Sequence, residues 1–234
     1  NQTKWEIKKQ ITDSNCMNGK KLIIWDWNGT LLNDVSACVN AMNIMLDARN
    51  IQNIDEMYYK NIFTFPVQDY YKALGFDFEK EPFEELSIEY IRLYKKLSEN
   101  SPLQEGAIEI LEFFKQKAYM QVIISASEQK ALEKQVAERF ISDYFDTLIG
   151  LDNIHAHSKL HNALSYVNKI KISPQNICFI GDTYHDYEVA KAIGCKCILL
   201  DSGHMELSKY QMDKVEIVGN LQSLYHKCKN IAWV

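Results

Sequence analysis

Four short apolar runs, each closing on polar residues, constrain this chain more than anything else in it. Leu22-Ile23-Ile24-Trp25 ends at Asp26, Val122-Ile123-Ile124 at Ser125, Ile177-Cys178-Phe179-Ile180 at Gly181-Asp182, and Cys197-Ile198-Leu199-Leu200 at Asp201. Runs this short without alternation read as parallel strands buried on both faces. Between them the apolar period turns helical. Leu132, Val136 and Phe140 share one face, Leu160, Ala163, Leu164 and Val167 a second, and Val189, Ala190 and Ile193 a third that stops at Gly194. Strands alternating with helices predict an α/β fold: a Rossmann-like parallel sheet with helices on both faces. In such sheets ligands bind beyond the carboxyl ends of the strands.

One stretch breaks the alternation. Residues 34–101 hold a helical stripe of Val35, Val39, Met42 and Leu46 and another of Phe83, Leu86, Tyr90, Leu93 and Leu97, with breaks at Pro66 and Ala73-Leu74-Gly75. The spacing predicts an all-helical insertion over 34–101. The core is then 17–33 and 102–234, resuming at Ser101-Pro102 with a helix from about Glu105 to Lys117. Residues 1–16 read as an N-terminal appendage, with Met17 a candidate start residue.

Composition narrows the partners. Lys and Arg number 26 against 31 Asp and Glu, a net charge of −5, without the basic footprint of a duplex-DNA binder. No apolar run reaches the roughly 18 residues of a membrane span. Hydrophobic residues make up 47% of the 234, which excludes wholesale disorder. The six cysteines, Cys16, Cys38, Cys178, Cys195, Cys197 and Cys228, form no CxxC pair. Reduced thiols in a cytoplasmic protein are the expectation. These features argue against nucleic acid and membrane partners and leave the oligomeric state open.

Four segments can converge at one sheet edge: Asp26-Trp27-Asn28-Gly29-Thr30, Ser125, Lys159, and Gly181-Asp182-Thr183-Tyr184-His185-Asp186. Two acidic clusters at strand ends can hold a hard cation such as Mg²⁺, which takes oxygen ligands. Lys and Ser add donors for phosphate oxygens. A carboxylate beside a cation and such donors can attack phosphorus, because the positive charge offsets repulsion between two anions. Each piece alone has a plainer reading as a helix cap, a turn or a solvated lysine. The functional reading comes from their order and placement.

With those residues in place, the chain resembles the haloacid dehalogenase-like hydrolases from about Lys20 to Leu224. Asp26-Trp27-Asn28-Gly29-Thr30 is similar to the first motif, DxDGT, in a DWNGT form. Ser125 matches the second motif and Lys159 the third. Gly181-Asp182 with Asp186 matches the fourth, GDxxxD. The insertion resembles the C1 cap of phosphoglycolate-phosphatase-like members. The resemblance implies a Mg²⁺-dependent phosphatase acting on a small phosphorylated metabolite. Asp26 would be nucleophile and metal ligand, forming an aspartyl-phosphate. The carbonyl of Asn28 and Asp182 would be further ligands, with Asp186 acting directly or through water. Ser125 and Lys159, with Asn28 and Gly29, would hold the phosphoryl group, and Lys159 would also restrain Asp26. Thr30 would hydrogen-bond within the loop.

Asn28 is a departure. The family's phosphatases usually carry a second Asp there as general acid and base, a role worth roughly 10²–10⁴-fold that an amide cannot perform. On this reading Asn28→Asp restores the missing group. The departure keeps a second function open, a phosphate-binding or regulatory domain with impaired turnover. Cleavage of C–X or C–P bonds ranks lower. A metal-free dehalogenase has no use for the acidic fourth motif, and Lys60 and Lys72 lack the context of a Schiff-base lysine. His185 is a candidate substitute donor or a helix-start surface histidine. Gly203-His204 is a phosphate-side contact or a simple loop. Tyr70, Tyr71, Gly75 and Phe76 are substrate contacts or cap core and hinge.

Overall fold

Burial on both faces is what Leu22-Ile23-Ile24-Trp25 demands, and the chain meets it by setting that run inside a parallel sheet. The computed structural model describes residues 19–151 and 158–230; the readings for residues 1–16, Cys16 and Met17 lie outside the described residues. β1 (Leu22–Trp25), β2 (Met120–Glu128), β3 (Thr147–Leu151), β4 (Ile177–Gly181), β5 (Lys196–Leu200) and β6 (Val215–Val218) run in the order β3-β2-β1-β4-β5-β6. Every neighbouring pair is parallel, with Ile24 opposite Val122 on one side and Phe179 on the other.

Successive side chains in each strand point to opposite faces. Ile23, Trp25, Ile123 and Ile180 therefore pack under α5 (Ala107–Gln116), α6 (Gln129–Glu138) and α9 (Leu221–Asn230). Leu22, Ile24, Val122 and Phe179 pack under α7 (Lys159–Ile170) and α8 (Tyr184–Ile193). One polar side chain enters the first layer fully paired: Gln121 accepts from Trp25 Nε1 at 3.1 Å and donates to the Leu111 carbonyl at 2.9 Å.

Between β1 and β2 the chain builds the helical cap: α1 (Val35–Asp47), α2 (Glu56–Ile62), α3 (Val67–Ala73) and α4 (Phe83–Leu97). Val35, Val39, Met42 and Leu46 face the cap's own core with Tyr59, Tyr70, Tyr71 and Leu86. The cap docks on the loop after β5. Glu206 N donates to the Lys60 carbonyl at 3.0 Å, Lys60 Nζ to the Ser202 carbonyl at 3.2 Å, and Lys209 Nζ to the Asn61 carbonyl at 2.6 Å.

The structure departs from the sequence reading in three places. β3 and β6 have no counterpart among the apolar runs. Phe140 lies beyond the end of α6 and is 92% exposed, so the stripe begun by Leu132 and Val136 stops before it. Ser125 does not follow its strand: β2 runs on to Glu128, with a register shift against β3 between Ile124 and Glu128. No helix among the described residues is long and apolar enough to cross a membrane. Cys38, Cys178, Cys195, Cys197 and Cys228 are free thiols.

Candidate active site

The strand order reverses at the β1/β4 boundary, where the carboxyl ends of parallel strands leave a crevice. Asp26 follows β1 and Asp182 follows β4 there, and Asp26 N donates to the Ile180 carbonyl at 2.8 Å. Lys159 is the first residue of α7, entered through Ser158, whose hydroxyl accepts from His161 N at 3.3 Å. Its ammonium donates to Asp26 Oδ1 and, at 2.5 Å, to Asp186 Oδ1. Asp186 is fixed by its place in α8. Thr183 caps that helix, and Asp186 Oδ2 accepts from Thr183 N at 3.0 Å, Thr183 Oγ1 at 2.8 Å and Asp182 N at 3.1 Å.

Asp182 is held from two other loops. Thr30 Oγ1 donates to its Oδ1 and His204 N to its Oδ2, each at 2.7 Å. The approach needs glycines. Gly29 has φ +72°, and a Cβ there would stand 2.3 Å from Asp182 Oδ2; one at Gly203 would stand 2.2 Å from Asp182 Cβ. Ser125 is buried beside them, its hydroxyl accepting from Ser127 N at 3.1 Å.

The electrostatics are lopsided. Asp26, Asp182 and Asp186 present carboxylate oxygens within 4.8 Å of one another, and Lys159 pairs with Asp26 and Asp186. Burial pushes Asp26 well above the usual carboxylate range against the pull of Lys159, with Asp186 and Asp182 adding to the rise. Burial likewise pushes Asp182 up to about 6, opposed by His204. Asp186 moves down: burial works against it, but Lys159 and the Thr183 hydrogen bonds win. Lys159 is held above its ordinary value, the two aspartates outweighing burial. Three buried carboxylates with one ammonium, all oxygen donors, form a set that a hard divalent cation fits.

Asn28 is fully engaged. Its Nδ2 donates to Asp34 Oδ2 at 2.8 Å and to Tyr94 OH at 2.6 Å, and its Oδ1 accepts from Ser127 Oγ at 2.7 Å. Gln104 Nε2 donates to the Gly29 carbonyl at 3.0 Å. His204 sits inside this cluster, 5% exposed, with Nδ1 2.9 Å from Tyr59 OH and Nε2 3.1 Å from Asp34 Oδ1. Burial lowers its pKa, but Asp34 outweighs that and holds it up at about 9. Asp34 moves down in return, His204 overcoming burial.

The structure thus gathers Asp26, Asn28, Gly29, Thr30, Ser125, Lys159, Asp182 and Asp186 at one sheet edge and adds His204. His185 lies away from that cluster. Its Nδ1 is 3.3 Å from Glu188 on its own helix, and its ring packs on Phe65 of the cap. Tyr70, Tyr71 and Phe76 are cap core, and Gly75 is an exposed turn at φ +97°. Lys60 is spent on the docking seam, and Lys72 pairs on the surface with Asp69 at 3.7 Å. Sequence reasoning missed Asp34, Tyr59, Tyr94 and Ser127. Asp34 reads as an ordinary helix start, and nothing near it in sequence announces His204, 170 positions away.

Comparison with known proteins places the chain in a family. A family model described as haloacid dehalogenase-like hydrolase matches residues 23–200. The phosphoglycolate phosphatase of Pseudomonas fluorescens is 25% identical over 195 residues, covering 79% of this chain and 70% of that protein. That of Chromobacterium violaceum is 22% identical over 219 residues, covering 90% of this chain and 97% of that protein. Among solved structures, a haloacid dehalogenase-like family protein from Streptococcus pneumoniae superimposes with a TM-score of 0.72 at 19% identity, covering 89% of this chain and 98% of that one. A Had-superfamily hydrolase from Ehrlichia chaffeensis gives 0.57 at 22% identity, covering 90% and 98%. At these identities the structural likeness speaks for the fold.

Proposed function

The chain belongs to the haloacid dehalogenase-like hydrolases, and from that premise we propose that it is a Mg²⁺-dependent phosphatase of small phosphorylated metabolites, working through a phosphorylated Asp26. One observation carries the reading: Lys159 bridges Asp26 and Asp186 inside a buried carboxylate cluster that retains negative charge. Asp26, Asp182 and the Asn28 carbonyl are the residues to hold the cation, with Asp186 steadying them through Lys159 and the Thr183 turn. When bound, the cation offsets the charge of the phosphate and of the attacking carboxylate.

Lys159 occupies Asp26 Oδ1, which leaves Oδ2 to attack phosphorus. The bond from phosphorus to the leaving oxygen breaks as the bond to Asp26 forms. Water then adds to phosphorus, the bond to Asp26 breaks, and inorganic phosphate departs. Lys159 and Ser125 are placed to hold the phosphoryl oxygens through both steps. The Asn28 amide can neither give nor take the proton. Solvent water protonates the leaving group, so aryl and acyl phosphates should react faster than alkyl phosphates.

The test is inorganic-phosphate release across a panel of phosphorylated metabolites, with phosphoglycolate included because relatives carry that name. Release that needs Mg²⁺ and disappears in Asp26→Asn supports the reading. Binding of panel members, seen as thermal shifts, without phosphate release would instead identify a phosphate-binding domain.

A further inference from the structure

Asp34 organises the loop of which it is the last residue. It is the residue before α1, where the chain passes from core to cap, and it is 1% exposed. Its carboxylate takes four nitrogen- and oxygen-borne donors, with Cys38 Sγ of α1 a weaker fifth at 3.8 Å from Oδ2. Asn28 Nδ2 at 2.8 Å and Tyr94 OH at 2.7 Å reach Oδ2; Gly29 N at 2.8 Å and His204 Nε2 at 3.1 Å reach Oδ1. Two donors come from the loop after β1, one from the cap helix α4 and one from the loop after β5. The His204 ring continues to Tyr59 OH of the cap helix α2. His204 thus spends both ring nitrogens on protein partners, so Asp34, Cys38 and His204, close as they are, do not offer a cation a free imidazole nitrogen.

A carboxylate buried this deeply is tolerated only with its oxygens matched. Position 28 must therefore be a donor toward Asp34, which an amide is and a carboxylate is not. We propose that Asp34 is a positioning residue: it carries, from the far end of the loop, the negative charge that position 28 lacks, and it seats the Asn28-Gly29 backbone through a hydrogen-bond shell that Tyr94 and the Tyr59–His204 pair complete when the cap docks. The Asp34 carboxylate makes its hydrogen bonds to Asn28, Gly29, Cys38, Tyr94 and His204 rather than to Asp26. It sets the loop that carries Asp26 and the Asn28 carbonyl, and so links cap closure to the seating of the reacting groups.

The arrangement has a reciprocal form. With Asp at 28 and Asn at 34, the amide oxygen of residue 34 still accepts from Gly29 N and His204 Nε2. Its NH₂ donates to the carboxylate now at 28 and to Tyr94 OH, Tyr94 donates to residue 28, and Ser127 keeps its acceptor. Only the distant Cys38 Sγ, 3.8 Å from Asp34 Oδ2, loses an acceptor, and the total charge is unchanged. Either exchange alone breaks the pattern: Asn28→Asp sets two carboxylates face to face, and Asp34→Asn leaves His204 without its partner charge.

The test is a cycle of Asn28→Asp, Asp34→Asn and the double variant, with Tyr94→Phe alongside. Melting temperature is read without Mg²⁺ or substrate, and kcat and KM are read on p-nitrophenyl phosphate with Mg²⁺. Each single exchange should lower the melting temperature by about 5–10 °C, and the double variant should recover at least half of the summed loss. Asp34→Asn and Tyr94→Phe should lower kcat roughly tenfold or more with KM changed by less than about threefold, because a misplaced loop costs turnover before binding. If Asp34→Asn does not fold, a folded double variant is itself the rescue. Additive losses in the double variant, or an Asn28→Asp protein as stable as the parent, overturn the proposal. The thermal arm requires no turnover, so a parent that hydrolyses nothing defeats the phosphatase reading while leaving the role of Asp34 tested.

Discussion

The hydroxyl of Thr30 donates to Asp182 Oδ1 at 2.7 Å, joining the loop after β1 to the loop after β4 across 152 positions of sequence. Both residues are fully buried, so the bond has no water to replace it. Thr30→Val keeps the shape and removes the donor, leaving a buried carboxylate oxygen unmatched at a cost of about 1–3 kcal/mol. The melting temperature should fall by several degrees and Mg²⁺ affinity, read by calorimetry, should weaken. Thr30→Ser should keep both close to the parent.

Asp26→Asn should remove phosphate release entirely while the fold survives. Burial beside Asp182 and Asp186 pushes the Asp26 carboxyl up, so an amide there removes an ill-placed charge. The melting temperature without metal should be equal to or higher than the parent's. Intact-mass measurement must accompany the assay, since deamidation would regenerate the nucleophile. Parent-level activity in verified Asp26→Asn protein would end the covalent mechanism.

Stabilisation by Mg²⁺ should grow with pH. The Asp182 carboxyl stands at about 6 in the fold, above its ordinary 3.8. Its contribution to apo stability is therefore present in acid and is lost as pH rises from about 4 through 6. The cation needs the ionised form. Saturating Mg²⁺ at a hundred times its Kd adds about 2.7 kcal/mol, and the rise in melting temperature should be larger at pH 7.5 than at pH 5. Asp182→Asn should erase that difference.

His204 gives a pH dependence on the alkaline side. Its folded pKa of about 9 exceeds the ordinary 6.5 because Asp34 outweighs burial. The stability it contributes is complete below pH 6.5 and is lost as pH rises through 9, on the order of 3 kcal/mol in all. The parent's melting temperature should decline across that window. His204→Gln should start lower and show a flatter profile, and an unchanged slope would remove His204 as the cause.

What the sequence exposed and what it hid follow from where each residue stands. Leu22–Trp25, Ile177–Ile180 and Cys197–Leu200 are legible as strands because helices cover both of their faces, so apolar residues run without interruption. β3 and β6 lie at the sheet edges with half-exposed residues, and Thr147–Leu151 and Val215–Val218 leave no such run. Phe140 continued the stripe of Leu132 and Val136 past the point where the helix ends, since a period carries no mark of its own termination. Asp26, Lys159 and Asp182 were legible because each opens or closes an element. Asp34 was hidden because its meaning lies in Asn28, Tyr94 and His204, which come from three separate parts of the chain. On sequence alone Asn28→Asp reads as a gain, and the carboxylate waiting opposite it reverses the sign.

The seam where Lys60 and Asn61 meet the Ser202–Lys209 loop makes the cap a latch on the loop that completes the site. Asp26 is 7% exposed and Lys159 5%, and the hydrogen bonds of Glu206 to Lys60 and of Lys209 to Asn61 fasten the cap to the loop that carries His204. On the proposed phosphatase reading, a substrate too bulky for the cap to stay docked leaves the Tyr59–His204–Asp34 hydrogen bonds unmade and so meets a loop that is not seated.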